Sequence, residues 1–249
     1  MINALAVEGL SHNFGGLQAL SDVSLHAAAG ERLVIVGPNG AGKTTLFNIV
    51  TGLISPNSGR ITLFDRDVTH LQPFRRARLG LGRTFQITTL FPKLTVLDNV
   101  LLAVQGADGA RFTLHRPATA YPHIVRGAQQ LLDEWSLGDR RDVPTRHLSY
   151  GEQRQLELIL ALAARPRVLL LDEPTAGLSP AETAAVAAMI HRFPRDVTLL
   201  LIEHDMDVAL ALAERVVVLH HGRVLAEGTQ AEIRKDPRVT EIYLGTDDA

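Results

Sequence analysis

The stretch RLVIVGPNGAGKT, Arg32 to Thr44, decides the fold. RLVIV is a short apolar run of the kind that forms a buried strand. Gly37, Gly40 and Gly42 follow, and then a helical pattern from about Lys43 to Thr51, stopped near Gly52. G-x-x-x-x-G-K-[ST] between a strand and a helix is the spacing of a loop that cradles phosphate. The glycines let the chain wrap closely, so that successive N–H groups surround phosphate oxygens. Lys43 supplies a point charge for the β and γ phosphates, Thr44 a hydroxyl for Mg²⁺, and Thr45 another donor at the helix start. Pro38, Asn39 and Ala41 complete the loop. A chance Gly-rich turn would not need both flanks.

Working outward, short strands precede this loop (ALAVEGL, DVSLHA, ERLVIVG), and RITLFDRDVT reads as a hairpin turning at Asp65-Arg66. The region Pro73 to Val143 has helix formers instead, in TVLDNVLLAVQ and YPHIVRGAQQLLDEW, joined by a flexible GADGARFTLHRPATAYP. After Leu148 helices alternate with the strands RVLLLD, VTLLLIE and RVVVLH, and helices are expected from Pro180 and Asp205. Continuous apolar strands alternating with helices indicate a parallel sheet buried on both faces. The helical region between two parts of one sheet implies a second lobe.

Composition bounds the rest. The 249 residues are 46% hydrophobic and 21% charged, enough for a substantial core. A net charge of −2 gives no electrostatic case for nucleic acid, and Arg75, Arg76 and Arg78 read as a solvated face. With no cysteine, disulfides, thiolate zinc sites and cysteine catalysis are excluded. No apolar run reaches the roughly 18 residues of a membrane span, and MINALAVEGLSHNF lacks a signal-peptide core. The expectation is a soluble cytoplasmic protein able to dock on a membrane protein.

Two further stretches carry chemistry. RVLLLDEP, Arg167 to Pro174, ends a buried strand in two carboxylates, an arrangement that suits a cation or a reaction. Asp172 can hold Mg²⁺, directly or through water. Glu173 points differently because strand side chains alternate, and can act as general base on a water. In LSYGEQRQLELILAL, Leu148 to Leu162, Ser149 and Glu152 have the spacing of a capping box. Gly151 sits in the first turn, where glycine is a poor helix former; a bare backbone there suits an approaching anion, and equally an idle loop glycine.

GPNGAGKT, Gln86 in RTFQ, LSYGEQ, VLLLDEP and His204 in LIEHD, in that order, resemble the nucleotide-binding subunits of ABC transporters over essentially the whole chain. The resemblance implies an α/β fold: a P-loop ABC ATPase core of parallel sheet plus an N-terminal antiparallel β subdomain, with a helical subdomain insert. It implies one nucleotide-binding domain over 1–249, with 1–89 and 144–249 as core and about 90–143 as insert. ATP and Mg²⁺ are the implied cofactors. Gly37 to Thr45 would bind ATP, Phe14 would stack on adenine, and Gln86 would sense the γ-phosphate. Mg²⁺ would be held by Thr44, Gln86 and Asp172, and Glu173 and His204 would be catalytic. LSYGEQ is similar to the LSGGQ signature, so Ser149, Tyr150, Gly151, Glu152 and Gln153 would bind the nucleotide of a second subunit, Gly151 bare so that phosphate can approach. Tyr150 departs from the usual glycine, and AGLSPAE from the commoner SALD form of the loop after the base.

RTFQITTLFPKLTVLDNV, LSYGEQRQLE, LIEHDMDV and VTEIYLG resemble the ATPases of high-affinity branched-chain amino-acid importers, with urea, amide or aromatic-acid importers and lipid exporters as alternatives. The implied partners are a second ABC ATPase subunit, two transmembrane permease subunits and an extracytoplasmic solute-binding protein, with no nucleic acid. The implied location is peripheral, on the cytoplasmic face of the inner membrane. DNA-repair relatives carry coiled-coil or zinc-bearing inserts and ribosomal ones two nucleotide-binding units, and neither is present here. A plain P-loop kinase or GTPase would not need LSYGEQ or His204.

Overall fold

The computed structural model describes residues 3–84, 90–107 and 121–244. Packing divides the chain into two compact units: Met1–Arg83, Arg167–Glu173 and Phe193–Ala249 in the first, Thr84–Pro166 and Pro174–Arg192 in the second.

The first unit holds two sheets. β1 (Asn3–Phe14), β2 (Leu17–Ala28), β4 (Ser58–Leu63) and β5 (Arg66–Asp67) form an antiparallel sheet in the order β2-β1-β4-β5. β3 (Arg32–Val36), β6 (Leu81–Arg83), β7 (Val168–Asp172), β8 (Thr198–Ile202), β9 (Arg215–His220) and β10 (Arg223–Gly228) form the other, in the order β10-β9-β3-β8-β7-β6. Its strands are parallel except β10, an antiparallel edge strand that hydropathy did not announce. Every residue of β3, β7 and β8 is buried, which is why these strands read as unbroken apolar runs. One buried cluster joins Leu5, Leu10 and Ile61 of the antiparallel sheet to Ile35, Leu170 and Ile202 of the parallel one. Leu46, Phe47 and Ile49 of α1 (Lys43–Thr51) belong to it too. Full burial of one such side chain contributes roughly 1.5–3 kcal/mol. α7 (Met206–Leu212), α8 (Gln230–Ile233) and α9 (Pro237–Leu244) complete this unit with α2 (Pro73–Arg78).

Register converges the chemistry on one edge. Ile35 of β3 pairs with Ile202 of β8, and Ile202 with Asp172 of β7. The residues that follow these three strands therefore leave the sheet side by side at its C-terminal edge, where open α/β sheets bind ligands.

Two readings of the sequence need correction here. The β4–β5 hairpin turns at Phe64-Asp65, one residue early, because Leu63 pairs with Arg66 and leaves a two-residue loop with φ of 48° and 61°. Arg76 is not on a solvated face: it is 1% exposed, while Arg75 and Arg78 are exposed. Its guanidinium donates to the carbonyls of Ile49 and Val50 at 2.7 and 2.6 Å, and to those of Leu71 and Thr69. Arg76 thus serves the last-turn carbonyls of α1, where a cation opposes the helix dipole. Burial lowers its pKa to about 10.

The second unit is helical: α3 (Val96–Ala107), α4 (Pro122–Glu134), α5 (Tyr150–Ala163) and α6 (Pro180–His191). It reaches beyond an insert at 90–143, because Leu156, Ile159 and their neighbours bury α5 against α3, α4 and α6. The change of sequence pattern near Val143 is therefore not a change of packing partner. Most of the connection expected between α3 and α4 lies outside the described residues. No helix among the described residues is long and apolar enough to cross a membrane.

Candidate functional site

The loop from Gly37 to Thr44 closes on glycines that cannot be replaced freely. A Cβ on Gly37 would lie 2.2 Å from the Leu219 carbonyl, and one on Gly42, at φ 101°, 2.7 Å from the Ala19 carbonyl. The first turn of α1 has no side-chain cap and no acidic residue, so its N–H groups suit an incoming anion. Lys43 is buried under the loop, its Nζ donating to the Gly37 carbonyl at 2.6 Å and the Pro38 carbonyl at 3.2 Å. Burial holds its pKa below the ordinary value, opposed by the charges of Glu173 and Asp172. Thr44 is exposed and Thr45 half-buried at the helix start.

Asp172, 2% exposed, ends β7. Its Oδ2 accepts from Arg83 Nη2 at 2.7 Å. Glu173 lies past the strand end, at φ 48°, with its N–H donating to the Ile202 carbonyl at 3.0 Å. Left-handed backbone, not strand alternation, therefore sets its direction, and strain in a non-glycine residue collects at functional sites. A cavity of about 380 Å³ is lined by Gly37, Pro38, Asn39, Glu173, His204 and Tyr243. The loop, the carboxylate and the histidine named from the sequence thus share one pocket. Tyr243, from α9, was missed: IYLG carried family resemblance but no sign of a pocket. Burial pushes its hydroxyl up to about 12, with the Gly37 backbone working the other way. At neutral pH it is protonated and offers a donor.

Phe14 ends β1, 49% exposed, with its ring edge-on to His12 at 4.6 Å. Gln86 lies outside the described residues. Thr44 and Asp172 offer hard oxygen donors of the kind Mg²⁺ takes. No group of three or more His, Asp or Glu among the described residues could hold a metal ion. The donor set fits a cation that arrives with phosphate ligands of its own.

In the second unit Ser149 caps α5 as its spacing required: Ser149 Oγ accepts from the Glu152 N–H at 3.2 Å, and Glu152 Oε2 from the Ser149 N–H at 2.8 Å. Gly151 is buried, and its N–H donates to Glu182 Oε1 of α6 at 3.1 Å. A Cβ there would sit 2.7 Å from that oxygen. The missing side chain thus has a reason within the chain. Tyr150 is exposed, its hydroxyl donating to the Ala176 carbonyl at 3.4 Å, and Gln153 Nε2 donates to the Leu148 carbonyl at 3.1 Å. The S-x-x-E spacing of Ser179 and Glu182 could have revealed the second capping box, at the start of α6.

The family model described as ABC transporter matches residues 20–176, and the one described as branched-chain amino acid ATP-binding cassette transporter matches 223–249. The chain is 41% identical to the high-affinity branched-chain amino acid transport ATP-binding protein LivG of Salmonella typhimurium, over 97% of each chain. It is 39% identical, over the same shares, to BraF of Pseudomonas aeruginosa, which bears the same description. A crystal structure of an ABC transporter's ATP-binding cassette in its ADP conformation superposes with a TM-score of 0.86. It has 28% identity and covers 98% of this chain and 100% of the other. The chain belongs to the ABC transporter family, as an ATP-binding subunit. It is a nucleotide-binding ATPase whose hydrolysis is coupled to transport.

Proposed function

We propose that this chain drives uptake of branched-chain amino acids from the cytoplasmic face of the membrane, paired with a second ATPase subunit, two permeases and an extracytoplasmic binding protein. The observation that carries the catalytic part is the pocket that brings Glu173 and His204 to the phosphate loop. The loop N–H groups and Lys43 receive the β and γ phosphates. Thr44 and the Asp172 carboxylate, with Gln86, would hold Mg²⁺, which would supply positive charge to neutralise the phosphates. Glu173 takes the proton of the attacking water, and His204 hydrogen-bonds the γ-phosphate and orients that base. Phe14, exposed at the end of β1, stacks on adenine.

Ser149 and the start of α5 complete the site of a second, head-to-tail subunit. ATP then closes the pair and hydrolysis reopens it, and the helical unit hands the movement to the permeases. The solute reading is supported by the C-terminal family match and by the relatives' descriptions. The permeases and the binding protein select the solute. Deleting the gene should abolish high-affinity uptake of leucine, isoleucine and valine, and a Glu173→Gln copy should not restore it. Normal uptake of these with loss of urea, amide or aromatic-acid uptake would reject the solute and keep the motor. Loss of lipid export alone would reject import.

A further inference from the structure

Arg83 belongs to none of the roles above, yet it is buried beside them. It ends β6, next to β7, paired with Leu170. One arm of its guanidinium, Nη2, donates to Asp172 Oδ2 at 2.7 Å. The other, Nη1, donates to Asn48 Oδ1 at 2.7 Å and Thr51 Oγ1 at 3.3 Å, both on α1. Its plane also lies by Phe47 of α1, 5.7 Å from the ring centre. A single planar fork therefore ties the helix that begins at the phosphate loop to the carboxylate at the tip of β7. Thr44 lies in the first turn of that helix and Asp172 ends that strand, so the two oxygen donors of the candidate cation site belong to the two elements Arg83 joins. A lysine, with one point charge, cannot hold both at once.

We propose that Arg83 is a positioning residue for Mg²⁺: its guanidinium fixes the Asp172 carboxylate and holds it in register with α1, the helix that carries Thr44. This rests on Asp172 as a Mg²⁺ ligand. Groups that orient a metal ligand are worth 10–100-fold in metal affinity when removed, although they never touch the metal.

The test is binding of a fluorescent ATP analogue to the purified chain, first in EDTA and then across a Mg²⁺ titration, for wild type, Arg83→Met, Arg83→Lys and Asp172→Asn. Arg83→Met should bind nucleotide in EDTA within about two-fold of wild type, since loop and Lys43 are intact, and should need at least about ten-fold more Mg²⁺ for half-effect. Arg83→Lys should fall between, and carries the same test if Arg83→Met does not fold. A wild-type Mg²⁺ midpoint in a folded Arg83 variant, beside a shifted one in Asp172→Asn, overturns the positioning role alone. A tighter midpoint also overturns it, since that makes Arg83 a charge that merely opposes the cation. Unshifted midpoints in Asp172→Asn and the Arg83 variants remove the Asp172 reading and this inference with it.

Discussion

Glu173 shows how much one residue's backbone can decide. A carboxylate at the next strand position would follow the pleat, but φ 48° swings this one out of the strand and into the cavity with His204. Glu173→Gln keeps size and hydrogen bonding but cannot take a proton. Turnover of ATP should drop by roughly 10²–10⁴-fold, with nucleotide affinity nearly unchanged. Turnover close to wild type in steady-state phosphate release would remove Glu173 as the base. Tyr243 separates wall from donor in the same pocket. Its hydroxyl, raised to about 12, cannot serve as a base near neutrality. Tyr243→Phe should therefore keep most of the turnover, while Tyr243→Ala, which opens the wall, should lower kcat more than it raises KM. Equal loss in both variants would point to the hydroxyl instead.

At the scale of elements, two contacts set how neighbours are held. α5 and α6 meet through Gly151 and Glu182, and Glu182 also closes the capping box of α6. Ser179 pulls its carboxyl below the ordinary range, with help from the Gly151 N–H. Gly151→Ala should destabilise because its methyl meets that carboxylate, and Glu182→Ala should destabilise by removing the carboxylate half of the α6 capping box. Since the second change removes what the first collides with, the double variant should be more stable than the sum, by more than about 0.5 kcal/mol in urea unfolding. Additivity would mean the clash relaxes elsewhere. The second contact is Arg215, whose fork grips Glu31 at 2.7 and 3.0 Å and so ties β9 to the entry of β3. Burial alone would raise the Glu31 pKa, but Arg215 and the Ala28 N–H hold it below its ordinary 4.5. A depressed folded value means this stabilisation is full above 4.5 and fades as pH falls through the lower folded value. Glu31→Gln should lower Tm at pH 7 and lose that difference toward pH 3, a convergence that thermal melts across pH would show.

For the molecule as a whole, local patterns and long-range packing were legible to different degrees. The phosphate loop, the apolar strands and the Ser149 cap could be read because each signal lies within a dozen adjacent residues. β6 is three residues long and exists through its pairing with β7, so no run of its own announced it. Arg76 read as part of a solvated face, and Arg83 and Tyr243 drew no role, because what these residues touch comes from 5 to over 200 positions away. The signature raises the question that only a pair of chains can answer, whether Ser149 completes its own chain's nucleotide site or a neighbour's. Lys43→Ala removes the charge of one phosphate loop, and Ser149→Arg blocks one signature; each variant alone should be inactive. In a mixed dimer both lesions fall on the same site if completion is in trans, and the other site is whole. With random pairing half the dimers are mixed, so the mixture should regain roughly a quarter of wild-type turnover. If each site is completed within its own chain, every site in the mixture carries a lesion and nothing returns. Phosphate release from the two variants, measured apart and then together at equal total protein, decides between them.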